Sequence, residues 1–540
     1  MIEGSRGERA SDEPEESPLP RQSYDHPGTA IDQWKRTLRG VSIGCLIAFG
    51  AQLVLVLVAS TIQFQRFGLA FDFSTFNQAA YLISHGDLLP FSSTLRHAYL
   101  DDHFGLLMYP IALLDWVLPH GILLLWLQDL AGVAAEVVAF RWVYCIASDR
   151  LQRGGPRDRR LVAAMLGVVT VLMLLNPWFY IACLFDFHLL AFAALFLVCT
   201  LFTAWRGRVG WASFWAGALL LTGDTGGLYL IGAGLSVAIA SPTLRRRVIG
   251  LIGLCIGGIW LVLVTAFAVK ANSVIQNYSW LITGERGVSG KINLALLVKA
   301  LVLHPHRQLQ MIWGKRTYLY KVLIPTGVVG VVSPWMWGAG LMTFYAMALA
   351  ISLTFLVDGF NLLAGFFVGV VATAMVLSFL LSKQGRLIRG GVVLLLVLIL
   401  GQSIALAVAD LPGIPSYWYR VSTVQASVLS EVLSETPENA EVIASNGVMG
   451  RFSDREAIYC LTHGAAAFPV WKPTVIFVFA PHAGIENLKP NLAESAIRYV
   501  RSSLHAKPLV SRDGIYAFRW HPGRNTVAVD LISLTVSVRG

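Results

Sequence analysis

Long, solidly apolar stretches recur along this chain from Val41 to Asp410. Helices that cross a bilayer account for such runs, because each span needs about 20 predominantly apolar residues. A transmembrane β-barrel is excluded, since its strands alternate apolar and polar side chains. Only 14% of the 540 residues are charged and 55% are hydrophobic, where a soluble domain carries about 25% charged residues. The mean hydropathy is +0.62. The chain therefore reads as an α-helical polytopic membrane protein.

The formal net charge is +10. A nucleic-acid binder would gather such an excess on one face. Here the basic residues form short clusters between apolar runs, as orienting cytoplasmic loops do, so no nucleic-acid partner is expected. Residues 1–34 are rich in Asp, Glu, Pro and Ser and read as a disordered acidic tail. Lys35, Arg36 and Arg39 then place the N-terminus in the cytoplasm. The run from Val41 lacks a convincing cleavage site and reads as a retained anchor. The six cysteines show no CxxC or finger spacing, so neither a disulfide framework nor a zinc knuckle is expected.

Four further basic clusters must share the cytoplasmic side: Arg150/Arg153/Arg157/Arg159/Arg160, Arg206/Arg208, Arg245/Arg246/Arg247 and Lys383/Arg386/Arg389. Spans near 41–62, 120–147, 161–178, 189–205, 209–222, 226–241, 247–270, 318–334, 336–357, 360–382 and 390–410 satisfy this, about eleven helices in a 35–410 membrane domain. Counting 104–118 as a crossing would invert the five-arginine loop. It is also short and holds Pro110 and Asp115, so it reads as an interfacial or re-entrant helix. The outer side then holds a first loop (63–119), the segment 179–188, the turn 223–225, a second large loop (271–317) and the tail 411–540. That tail mixes strand-like and helix-like patches, with Asp513-Gly514 as a hairpin turn, and reads as a small extracytoplasmic α/β domain.

The acids gather on that outer side, although Lys and Arg alone set the topology. In the first loop, Ser74 is expected to cap a helix over 75–85 with Asn77, Gln78, Tyr81 and His85 on a polar face turned to a cavity. Asp72 stands just before its N-terminus, where the helix dipole favours an anion. Such a carboxylate can bind a metal or act as a general base. Asp101, Asp102 and His103 offer metal ligands, or a solvated turn. Asp186 and His188 sit in an apolar setting, and Asp224 lies in the turn GDTGG. The 271–321 region carries the opposite sign. Arg316 and Lys321 flank the aromatic string TYLY, where they could hold a lipid phosphate or simply snorkel. No GxGxxG, Walker, GxSxG or HExxH motif has a suitable context.

Several of these pieces together resemble the GT-C glycosyltransferase superfamily: FDFSTFNQAAYLISHGDLLPFSS, DDHFGLLMYPIALLDWVLP, FDFHLLAFAALFLV, the GDTGG turn, LIPTGVVGVVSPW and ENAEVIASNGVMGRFSDREAIYCL. Within it, the chain resembles a bacterial family of polytopic membrane proteins of unknown function over about 45–520. The resemblance implies a GT-C-like membrane domain in the plasma membrane. It implies transfer of a hexose or pentose from a polyprenyl-phosphate donor to a glycan, lipid or protein acceptor on the extracytoplasmic face. Carried over, Asp72 is the catalytic carboxylate. Asp101, Asp102 and His103 form the second motif, with a divalent cation such as Mg or Mn in some members. Gln78, Asp186, His188, Asp224, Arg316 and Lys321 are the candidate substrate contacts. Two positions depart from the family pattern. Thr222-Gly223-Asp224 stands for a Lys-Glu-Asp-like turn, and Leu189 for a proline. The alternative is a lipid or solute transporter without transferase activity; nearly all candidate polar residues fall on the outer side, which argues for the enzyme.

Overall fold

The computed structural model describes residues 27–102, 104–117, 121–153, 156–268, 277–284, 294–351, 362–383, 385–414, 421–461, 467–483 and 490–539. Most of the expected N-terminal tail, His103 and parts of the 271–317 loop lie outside them.

Among the described residues six helices are long and apolar enough to cross a membrane, and four shorter apolar helices accompany them. The long ones include α1 (Pro27–Gln65). The first loop then folds into α2 (Phe71–Ser84), a small hairpin β1–β2 (Phe91–Ser92, His97–Ala98) and α3 (Met108–Leu114). The seven residues of α3 are too few to span a bilayer. Met108, Ile111 and Ala112 bury against the apolar side of α2, while Leu113, Leu114, Trp116 and Val117 stay exposed. Such a helix suits a membrane interface.

Next come α4 (Ile122–Arg153), α5 (Pro156–Leu174) and α6 (Pro177–Leu184). The third expected span runs on beyond 178, because the Asn176 side chain accepts from the Trp178 N–H at 3.1 Å and Pro177 starts a new helix. Only Phe185 to Leu189 separates α6 from α7 (Leu190–Trp205). After α8 (Val209–Leu220), α9 (Asp224–Ala240) packs closely on α10 (Leu244–Leu263) through Gly227, Gly234, Gly250 and Gly257.

The second loop contributes α11 (Leu294–Leu303) and α12 (Pro305–Gly314), followed by α13 (Arg316–Leu323). The expected span 318–334 is not one helix. After α13 the chain turns through two short 3-10 segments, with Gly327 and Val328 at φ 79° and 56°. Pro325 removes a donor, and Gly327 and Gly330 let the backbone press on Gly369 and Thr373. Among the described residues the bundle continues with α14 (Leu341–Leu349), α15 (Leu363–Ser382) and α16 (Arg386–Asp410).

The ends of the bundle differ in charge. Asp158 joins Arg150 and Arg389 at 3.3 and 2.9 Å, and Arg246 reaches the Trp205 carbonyl at 3.4 Å. The four basic clusters thus share one end. At the other, the Leu107 N–H reaches the Leu221 carbonyl at 2.8 Å, bringing the Asp101–Asp102 region near the Asp224 turn.

The tail is an α/β domain. Its helices are α17 (Thr423–Ser434), with a Ser422/Gln425 capping box, and α18 (Pro490–Ser502). A mixed five-stranded sheet runs in the order β4 (Ile458–Cys460), β3 (Glu441–Ala444), β6 (Val475–Phe479), β8 (Ile515–Trp520), β7 (Lys507–Arg512). β3 pairs parallel with both neighbours, and apolar clusters cover both faces of the sheet. The β7–β8 turn is Asp513-Gly514, at φ 52° and 77°. A second sheet joins β5 (Ala467–Pro469), β9 (Thr526–Asp530) and β10 (Thr535–Val538).

Candidate functional site

Helix α2 begins three residues before Ser74 and is not capped by it; the Ser74 hydroxyl donates back to the Ala70 carbonyl from inside the helix. The caps come from elsewhere. Asp186 accepts from the Ala70 and Phe73 N–H groups at 3.0–3.2 Å, and Asn446 of the tail accepts from the Phe71 N–H at 3.1 Å. A carboxylate at a helix N-terminus meets both the free N–H groups and the positive end of the helix dipole. Asp72 therefore lies in the first turn of α2 rather than ahead of it.

Asp72 is 42% exposed, open enough to meet a substrate, and its Oδ2 lies 3.6 Å from His188 Nε2. The His188 ring is fixed from behind. Its Nδ1 is 2.9 Å from the Asp186 carbonyl oxygen, which can only accept, so Nδ1 carries a proton. Its backbone N–H donates to Gln128 Oε1 at 2.6 Å, and Phe76 and Phe185 pack their rings against it at 5.6 and 5.4 Å. With Nδ1 protonated, a second proton on Nε2 makes an imidazolium facing Asp72.

Asp186 is buried. Burial, then the Asp72 charge, raises its carboxyl to about 6, against the pull of the two N–H groups and His188. The unfolded carboxyl titrates near 3.8. The folded chain therefore binds this proton more tightly. The resulting stabilisation is fully present below about pH 4 and is lost as pH rises through about 6. Thermal unfolding of Asp186→Asn should lack that loss between pH 4 and 7; an unchanged slope would refute the assignment.

On the polar side of α2, Asn77 and Gln78 face protein, while Tyr81 is half-buried and His85 is exposed. Gln78 is fully buried: its amide nitrogen donates to Ser93 Oγ and the Glu456 carbonyl, and its oxygen accepts from the Ser93 N–H and Ser92 Oγ. Gln78 thus joins the first loop to the tail, with both ends of its amide bonded inside the protein. Asn77 does the same through Ser453 and Asp454 at 2.8 and 2.7 Å. A strip from Asn446 to Ile458 thereby docks the whole tail on the first loop. Within it, the Gly450 N–H bonds the Leu69 carbonyl, and the Arg451 guanidinium lies over Phe67 and Phe64 at 4.4 and 5.1 Å.

Asp224 begins α9 and accepts from the Thr225 N–H at 2.8 Å. Burial, then the Asp224 charge, pushes Tyr278 up to about 12, so Asp224 faces the second loop. Arg316 is exposed and lies over Trp313 at 5.0 Å. Lys321 pairs with Asp410 at 3.5 Å. The neighbouring cations Arg307 and Lys315 are taken up by backbone carbonyls of Leu281 and Ala350. Asp102 is buried beside Tyr99 and Asp101 is half-buried. Among the described residues no three His, Cys, Asp or Glu side chains are close enough to hold a metal ion. The expected divalent site includes His103, which lies outside the described residues.

Two acids lie where none was expected. Asp129 and Glu136 on α4 are fully buried inside the bundle, close to Gln52 and Ser60 of α1. The polar residues are thus not confined to the outer half.

The profile of a family described as predicted membrane proteins, DUF2079, matches residues 65–492. The chain belongs to the DUF2079 family. No curated protein matches it. Among solved structures, this DUF2079 protein is similar to ArnT from Cupriavidus metallidurans bound to undecaprenyl phosphate. That likeness has 12% identity and a TM-score of 0.47, covering 88% of this chain and 98% of the other. The apo form of the same ArnT is similar at 11% identity and a TM-score of 0.43, with the same coverage.

Proposed function

We propose that this DUF2079 protein is a membrane glycosyltransferase that uses a polyprenyl-phosphate sugar, with Asp72 as the catalytic carboxylate. The observation that carries this reading is the half-open Asp72 carboxylate paired with a rigidly held His188 over buried Asp186. In the reaction, Asp72 takes the proton of an acceptor hydroxyl. The freed oxygen pair attacks the anomeric carbon, and the bond from that carbon to the phosphate oxygen breaks, leaving its electrons on the polyprenyl phosphate. His188 orients Asp72. The basic end of the bundle faces the cytoplasm and the acid-lined end faces outward, following the bias of Lys and Arg in short loops. A cleft of about 190 Å³ between α2 and the tail, lined by Tyr81, Glu438, Asn439, Glu456 and Lys472, offers a polar acceptor its footing. Tyr81 is nine residues along α2 from Asp72, about 13 Å away by helix rise.

Arg316 and Lys321 are exposed and free of strong partners; a half-exposed pair such as Lys321–Asp410 is worth about 1 kcal/mol or less. If they hold the donor phosphate, Arg316→Ala and Lys321→Ala should raise the donor KM several-fold with little change in kcat or melting temperature. An unchanged KM in both would remove them from the donor site.

A second reading, proton-coupled transport, is favoured by Asp129 and Glu136 inside the bundle. One experiment separates the two. The full chain in lipid nanodiscs is offered radiolabelled polyprenyl-phosphate sugars, with and without divalent cation. Slow release of one sugar supports the transferase and identifies the donor. No consumption of any donor, with solute or lipid flux in liposomes, supports the transporter.

A further inference from the structure

α4 carries Asp129 and Glu136 seven residues apart, on one helix face and about 10 Å apart along the axis. Both are fully buried. Asp129 Oδ2 accepts from Ser60 Oγ at 2.7 Å, while its Oδ1 has no hydrogen-bond partner among the described residues. Neither Glu136 oxygen has one, and neither does the amide oxygen or nitrogen of Gln52, which lies against Glu136 from α1. The groups facing the two acids are Ser60 and Gln52 from α1, and Cys183 and Tyr180 from α6. No Lys, Arg or His among the described residues acts on either acid. Tyr180 already donates its hydroxyl proton to the Leu174 carbonyl at 2.8 Å, so it is not spare as a donor.

An ionised carboxylate there would be buried with neither cation nor full hydrogen bonding, the arrangement that costs most in a bilayer. One added proton resolves it. A protonated Glu136 donates its O–H to Gln52 Oε1 and accepts the Gln52 N–H on its other oxygen, so one proton satisfies all four orphaned atoms as a cyclic acid–amide pair. We propose that Glu136, with Gln52 as its partner and Asp129 as a second station, is an intramembrane proton-binding site of this protein. The ligand is a proton taken from water. Asp129 lies toward the end of the bundle that holds Asp72, and the neighbouring Gln128 holds the His188 backbone there, so the two stations run from the candidate site into the bundle interior. This site stands whether the protein is a transferase or a transporter.

Infrared spectroscopy of the full chain in nanodiscs tests it without any activity assay. At pH 7 the wild type should show a protonated-carboxyl C=O band that shifts in D2O. Glu136→Gln should lose part of that band, and Asp129→Asn a second part. Glu136→Gln should also melt within a degree or two of wild type, because glutamine mimics the neutral acid in shape and charge. Dicyclohexylcarbodiimide, which attacks protonated carboxyls in apolar surroundings, should label Glu136 in the wild type. Loss of no C=O intensity in Glu136→Gln would overturn the proposal. So would a Glu136→Gln protein that fails to fold or melts far below wild type, since the native group would then be a carboxylate with a partner of its own.

Discussion

Asp72→Asn is expected to lower sugar release from the donor by about 100-fold to 10,000-fold, the range contributed by a positioned general base. The variant should fold. The amide preserves the shape of the native side chain, and the native carboxylate burdens Asp186 next to it, so its removal relieves a repulsion. That gives a second readout free of substrate. With the charge at position 72 removed, the Asp186 carboxyl should titrate below its native value of about 6, because the Asp72 charge is the second largest cause of the upward shift. An intermediate loss is expected for His188→Asn, since the 3.6 Å separation from Asp72 is longer than a hydrogen bond and its role is to orient. The outcomes separate cleanly. Turnover by Asp72→Asn close to wild type would remove Asp72 from the chemistry while leaving the transferase intact. Absence of turnover by wild type with every donor would remove the transferase itself, and the Asp186 titration would still report whether the two carboxylates interact.

Much of the architecture was legible because membrane spans and small sheets write themselves locally. Solid apolar runs mark α1, α4, α15 and α16, and Asp513-Gly514 marks the β7–β8 turn through its two positive φ angles. The basic loops do meet at one end of the bundle, as Arg150, Asp158 and Arg389 show. What the sequence hides is long-range pairing. The start of α2 depends on acceptors 113 and 375 residues away, Asp186 and Asn446, so a local rule points to Ser74 instead. Gln78 looks available for substrate until the tail closes over it. The break after α13 was signalled by Pro325, Gly327 and Gly330, which an average hydropathy does not register. Asp129 and Glu136 were visible as two acids at a spacing of seven within an apolar run, but a topology drawn from Lys and Arg gives span acids no weight.

The docking of the tail carries the other large expected effect. At Gly450 an added Cβ would fall 2.5 Å from Leu69 Cβ and 2.9 Å from the Leu69 carbonyl oxygen, and the backbone cannot yield without breaking the Gly450 N–H bond to that same carbonyl. Gly450→Val therefore overfills this contact, at a cost of about 1–3 kcal/mol or more. The strain falls on the strip that holds Asn446 four residues earlier and Arg451 one residue later. Its displacement takes the cap from the Phe71 N–H and the guanidinium from Phe64 and Phe67. Losing such a cap costs about 1 kcal/mol and loosens the first turn of α2, the turn that carries Asp72. Amide hydrogen exchange should rise over residues 67–80 in Gly450→Val and, more weakly, in Asn446→Ala, while the bundle helices α4 and α15 keep wild-type protection. Donor turnover should fall with it, through kcat rather than donor KM, because the misplaced group is the base and not the phosphate contact. Wild-type exchange over 67–80 in both variants would mean that α2 holds its start without the tail. The tail would then serve acceptor binding alone.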